Sequence, residues 1–78
     1  MELKQKILLE LKRINLGEGN HWREHHYRYF LVDLNPVEQR NFYHTMDELV
    51  NEDYLLKENE GGETFYIVTK KGESIIYK

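Results

Sequence analysis

The stretch HWREHHYRYF, residues 21–30, gathers three of the chain's four histidines, its only tryptophan, two arginines and three further aromatics. Residues of these types could bind a metal, stack on bases or wall a core. His21 and His25 are four apart and would share a face of a helix. Two imidazoles can begin a zinc site, which needs about three or four ligands. Glu24 would lie on a different face, and no His-Glu-x-x-His pattern occurs. With no cysteine in the chain, thiolate ligation and disulfides are both excluded. The reading is therefore no metal and no cofactor, with these histidines exposed or structural.

The alternation of Arg with aromatics in the same stretch suggests a stacking platform for single-stranded nucleic acid. Tyr27, Phe30 and Leu31 are instead needed for the core of so short a chain. Trp22 and Tyr29 are left as candidates for an exposed protein interface, where large aromatics are enriched. Histidine offers one more use, since it titrates near about 6.5 when unperturbed. Protonating all four would move the formal charge from −3 to +1 and should strengthen nucleic-acid binding in mild acid.

Catalysis is not expected. There is no cysteine nucleophile, and the only serine is Ser74. Acidic neighbours such as Asp47–Glu48 and Glu52–Asp53 diverge by about 100° on a helix and do not converge on a substrate. Seventy-eight residues make one small domain, residues 1–78, with little room for a pocket.

The charge is uneven. Residues 1–45 hold seven Lys/Arg against six Asp/Glu, and residues 46–78 hold four against eight. A nucleic-acid binder usually carries a basic surplus. No apolar run approaches the roughly 20 residues of a membrane span. MELKQKILLELKRI lacks the uncharged core of a signal peptide, so a cytoplasmic protein with no membrane partner is expected.

These side chains must be positioned by a short series of elements. Leu3, Ile7, Leu8, Leu11 and Ile14 recur at helical spacing, with Glu2, Lys6 and Glu10 as opposite charges four apart on the outer side. Gly17 and Gly19 are expected to stop this helix. Tyr27, Phe30, Leu31 and Leu34 suit a second helix, although Tyr27, Tyr29 and Leu31 also alternate as in a strand. Then comes NPVE, residues 35–38. Asn35 can cap, Pro36 fits the first helical position, and Glu38 completes a capping box. The helix so opened should run to about residue 52, with Phe42, Met46, Leu49 and Val50 inward and Asp53 left-handed at its end. After Asp53 the period falls to two. YLLKEN, EGGE and TFYIVT read as strand, turn and strand, with Gly61 and Gly62 supplying positive φ. Thr69 can cap a short final helix carrying Ile75 and Ile76, a continued strand being the alternative.

Two segments carry a resemblance. NPVEQRNFYHTMDELVNEDYLLKE, residues 35–58, is similar to the run from recognition helix into the first wing strand of winged helix-turn-helix domains. VTKKGESII, residues 68–76, is similar to the Leu-Thr-x-Lys-Gly segment that ends the wing in MarR-like and PadR-like small bacterial regulators. The chain resembles this superfamily over nearly its whole length, without selecting a subfamily. The resemblance implies an α+β fold: a three-helix core, a C-terminal β-hairpin wing and a short terminal helix. It also implies a DNA-binding transcriptional regulator, as a homodimer built through the first helix or a surface patch.

On that reading the third helix enters the major groove. Glu38, Arg40, Asn41 and His44 face outward and become the candidate base readers, since Arg can read guanine and Asn adenine. Arg23, Arg28, Lys70 and Lys71 become the main candidates for phosphate contact, with Lys4, Lys12 and Arg13 behind them. Two residues depart from the family pattern. Asp53 stands where glycine is usual. KENEGGE, residues 57–63, brings Glu58, Glu60 and Glu63 to a wing tip where family members that touch DNA carry Lys or Arg, and carboxylates repel phosphates. The alternative is a winged helix that binds a protein rather than double-stranded DNA, as an accessory or antirepressor-like factor. The charge over residues 38–44 and 57–63 discriminates them: a continuous positive band favours DNA, a negative one a protein.

Overall fold

Helix α1 (Leu3–Arg13) forms on the expected stripe, burying Ile7 and Leu11 while Leu3, Leu8 and Ile14 pack at the edge of the core. It ends before either glycine. Asn15 takes the left-handed conformation at φ 58°, which its short polar side chain tolerates. The Leu16 N–H donates to the Leu11 carbonyl and the Asn15 N–H to that of Lys12, each at 3.0 Å. These are the two bonds of a Schellman cap. Gly17 and Gly19 therefore lie in the following loop.

That loop leads into an element with no sequence signature. Residues His21–Trp22 form strand β1, in the computed structural model of the chain, which describes residues 1–78. Trp22 lies opposite Tyr66 and His21 opposite Ile67 on a later strand. Gly19 and Asn20 extend the ladder by exchanging bonds with Val68 at 2.8 and 3.0 Å. Two residues are too few to show a period, so pairing with a distant strand creates this element. Two expectations fail with it. His21 does not share a helical face with His25, and Trp22 is not exposed but buried, at 1% exposure.

Helix α2 (Glu24–Val32) buries Tyr27, with Phe30 and Leu31 partly buried against the core. Three residues then turn the chain into α3 (Pro36–Asn51). The capping box is complete. Asn35 Oδ1 accepts from the Glu38 N–H at 2.8 Å, and Glu38 Oε1 accepts from the Asn35 N–H at 3.2 Å. Phe42, Thr45, Met46 and Leu49 form the buried side of α3. Asp53, at φ 65°, ends it with a second Schellman cap: the Tyr54 N–H donates to Leu49 and the Asp53 N–H to Val50.

Strands β2 (Leu55–Glu60) and β3 (Glu63–Val68) make the hairpin, with Gly61 and Gly62 both at positive φ in a two-residue turn. The sheet is antiparallel throughout, in the order β1-β3-β2, and α4 (Lys70–Ile76) closes the chain against α1. The molecule is thus an α+β arrangement of four helices and a three-stranded sheet. Its centre is aromatic. Trp22 lies 5.6 Å from Tyr27 and 6.2 Å from Phe42, and Tyr66 lies 5.8 Å from Tyr27, ring centre to ring centre. No helix is long and apolar enough to cross a membrane.

Candidate interaction surface

The outer side of α3 follows from its cap and stripe. With Phe42, Met46 and Leu49 inward, Arg40, Asn41 and His44 must point out, and all three are exposed. Glu38 is different. It closes the capping box and takes a 2.6 Å bond from Lys6 Nζ on α1. The Lys6 ammonium, then the Asn35 N–H, hold its carboxyl below the usual glutamate range. Both carboxylate oxygens of Glu38 are thus engaged in tying α1 to α3 and closing the cap, rather than standing free on the outer face. Lys6 is drawn away from the expected Glu2 and Glu10 partners, and Glu10 instead bonds Arg13 at 2.7 Å. His44 lies 3.4 Å from Glu48 on its own helix.

The arginines proposed for phosphate contact are also engaged. Arg23 precedes α2, where its Nη1 bonds Glu63 at 2.8 Å while its guanidinium carbon sits 4.1 Å from the Phe65 ring centre. Arg28 bonds Glu24 at 2.9 Å, one turn back on α2. Lys4 pairs with Glu52, a hydrogen bond that raises its pKa. Lys70 and Lys71 open α4, and Lys71 Nζ lies 5.0 Å from the Tyr54 ring centre. Lys12 is exposed on α1, beside a groove lined by Leu8, Leu9 and Ile75.

The charge census between Arg23 and Glu63 is lopsided. This segment carries four Lys/Arg and ten Asp/Glu. Arg23, Arg28 and Lys57 are each paired with a carboxylate within the segment. Only Arg40 is left without one. Asp33, Asp53, Glu58 and Glu60 have no cationic partner in any ion pair, and all four are exposed. There is no positive band over residues 38–44 and 57–63.

No protein-family model, curated protein or solved structure matches the chain.

The remaining candidates separate cleanly. Trp22 is part of the core, in contact with Tyr27, Phe30 and Phe42. Tyr29 is 75% exposed and shares the outer stripe of α2 with His25, Arg28 and Val32. An open groove of about 480 Å³ runs between that stripe and Glu63. His25 and His26 sit with ring centres 4.0 Å apart, whereas His21 stacks on Phe65 at 5.0 Å. No group of three or more His, Asp or Glu side chains is arranged to hold a metal ion. Ser74 Oγ donates to the Lys70 carbonyl of its own helix.

One surface was not anticipated from the sequence. The outer face of the sheet carries His21, Leu56, Glu58, Glu60 and Ile67, and Leu56 is half exposed. The signal for it was the period-two alternation of residues 55–60. What hid it was the missing third strand, without which the hairpin has no defined outer side.

Proposed function

We propose that this chain is a winged helix that acts as a protein-interaction module and does not engage DNA. The helix order α1-α2-α3, the β2–β3 hairpin after it and the short α4 follow the order that the resemblance implies, which supports α3 as the recognition helix and β2–β3 as the wing, while β1 at the sheet edge is an addition to it. The observation that carries the functional reading is the pairing pattern. Between Arg23 and Glu63, across α2, α3 and the hairpin, one unpaired cation, Arg40, stands among four unpaired exposed carboxylates, and of the four main phosphate-contact candidates only Lys70 and Lys71, beyond the hairpin, are in no ion pair. Affinity for DNA comes largely from neutralising phosphates, and an anionic face forfeits that gain. Protein partners carry no such requirement, and the exposed Tyr29–Val32 stripe on α2 has a composition common in interfaces. No catalytic role is proposed.

DNA binding as a small regulator is the second reading. Its specific support is Arg40 with Asn41, exposed side by side in the first half of α3, both of types that read base edges. Fluorescence anisotropy with mixed-sequence duplex DNA distinguishes the two. The interaction reading expects no salt-sensitive binding at low ionic strength and no change on Arg40→Ala. Binding that weakens steeply with salt and loses sequence preference in Arg40→Ala would overturn it.

A further inference from the structure

We propose that the outer face of the sheet docks a cationic amphipathic segment of another protein. This inference rests on the interaction reading above and names the face and the chemistry of the partner.

The strand register fixes the face. Paired residues across an antiparallel ladder point to one side, and alternate residues along a strand do the same. Leu56, Ile67 and His21 therefore form one row across all three strands. Glu58 and Phe65 form the next, and Glu60 and Glu63 the last, at the hairpin end. The opposite side of the same strands sends Leu55, Tyr66, Val68 and Trp22 into the core. The outer face is thus apolar at its base and acidic at its tip.

Neither half is fully covered, although Phe65 between them is buried under Arg23 and His21. Leu56 is half exposed, and His21, Glu58 and Glu60 are exposed. Glu60 and Glu63 stand directly opposite one another, an arrangement that destabilises a sheet when both are charged. Arg23 bonds Glu63 and lies over Phe65, so it relieves only one of the three carboxylates. Glu58 and Glu60 remain unpaired, two residues apart on one strand and so about 6.6 Å apart along it. Lys or Arg residues one turn apart on a helix are separated by about 5–6 Å and can meet both. One turn further along, the same helix would set aliphatic residues over Leu56 and Ile67, which continue the line of the two carboxylates toward the base of the hairpin. Charge complementarity selects a basic segment over an acidic or neutral one, and the apolar row selects an amphipathic one over a simple polycation.

The test is a titration of the isotope-labelled full chain with a short synthetic Leu/Lys peptide designed as an amphipathic helix. A scrambled peptide of the same composition serves as control. Amide shifts should concentrate at His21, Leu56, Glu58, Glu60 and Ile67. Joint replacement Glu58→Lys and Glu60→Lys should weaken binding on the order of tenfold or more, because it reverses both contacts. Leu56→Ser should weaken it as well, and the amide spectrum of each variant verifies that the fold persists. Shifts centred on another face, equal binding of the scrambled peptide, or a Leu56→Ser variant that binds as wild type would each overturn the proposal. A chain that binds neither this peptide nor DNA would remove the assigned face while leaving the interaction reading in place.

Discussion

Arg23 donates to Glu63 at 2.8 Å across 40 residues of chain, and the carbon of the same guanidinium sits 4.1 Å from the Phe65 ring centre. One side chain thus fastens the start of α2 to the hairpin and roofs an aromatic ring. The two halves of the contact are separable. Glu63→Gln removes only a half-exposed ion pair, which should cost under about 1 kcal/mol. Arg23→Ala also uncovers Phe65, and should cost roughly 1–2 kcal/mol through lost cation–π contact and packing. Urea unfolding of the two variants decides between them. Equal costs would mean that the charge pair, and not the cover over Phe65, is what Arg23 supplies.

Glu38 gives the fold a dependence on acid. Its folded pKa lies below the ordinary value, chiefly through Lys6 and then through the Asn35 N–H. Such a group stabilises the fold above its unfolded pKa, and the contribution is lost as pH falls through the lowered folded value. Glu38→Gln keeps a side chain able to close the capping box but cannot titrate. Its urea midpoint should therefore fall less than that of wild type between neutral pH and pH about 3, below the unperturbed glutamate value. Asn35→Ala, by contrast, should cost about 1 kcal/mol at any pH, as loss of an N-cap does.

Tyrosine burial sets the alkaline limit. Burial pushes the Tyr66 hydroxyl up to about 12, and it also raises Tyr27, whose hydroxyl donates to the Thr64 carbonyl at 2.9 Å. A raised folded pKa adds stability below the unfolded value near about 10, lost as pH climbs toward the folded one. Unfolding should therefore set in between about pH 10 and 12, with tyrosinate absorbance rising cooperatively. The two hydroxyls differ in one respect: that of Tyr66 is buried with no hydrogen-bond partner in the protein. Tyr66→Phe should leave stability unchanged or raised, and Tyr27→Phe should lower it by about 1 kcal/mol. Thermal melts of the pair at neutral pH provide the check.

Most of the helical framework was legible because its signals are local. Asn35, Pro36 and Glu38 specify the start of α3 within four residues, and Gly61–Gly62 specifies the hairpin turn. Asp53 is marked as left-handed by its place at the end of an apolar stripe, whereas Asn15, with the same geometry, is masked by the stronger local signal of Gly17 and Gly19. What could not be read was β1. Its two residues become a strand only by pairing with Ile67 and Tyr66, more than forty positions away. Without that pairing Trp22 has no apolar neighbours at helical spacing to mark it as core, and His21 has no signal that separates it from the helix of His25. Ion-pair choice was equally hidden: Lys6 has carboxylates four residues away on either side, yet its bond goes to Glu38, brought near by packing.

Trp22 makes the β1–β3 pairing testable. It is almost wholly buried and touches three other aromatic rings. Trp22→Ala should cost roughly 3–5 kcal/mol, the range for truncating a large core aromatic. In so small a fold that consumes most of the stability, so circular dichroism should report a largely unfolded chain at ambient temperature. Tyr29→Ala, on the exposed outer stripe of the next helix, should leave the melt nearly unchanged. A well-folded Trp22→Ala would mean that the β1–β3 pairing does not seat this side chain in the core.

The Thr-Lys-Lys-Gly segment, residues 69–72, has a physical explanation with a sign that can be measured. The Thr69 hydroxyl accepts from the Gly72 N–H at 2.9 Å and so caps α4. The same oxygen lies 2.6 Å from the Asp53 carbonyl and 3.0 Å from that of Tyr54, with its single proton available to either. One side chain therefore joins the start of α4 to the end of α3. Gly72 permits the approach, since a Cβ there would fall on the Tyr54 carbonyl oxygen. Helix propensity alone predicts that Gly72→Ala stabilises α4 by about 0.5–1 kcal/mol. The clash with backbone predicts the reverse, a loss of roughly 1–3 kcal/mol or more, as overpacking does. The structure requires the second result. Thr69→Val keeps the shape but loses the cap and the carbonyl contact, and should cost about 1–2 kcal/mol. Denaturant midpoints of both variants test the joint, and a stabilised Gly72→Ala would show that α4 does not pack on Tyr54 in this way.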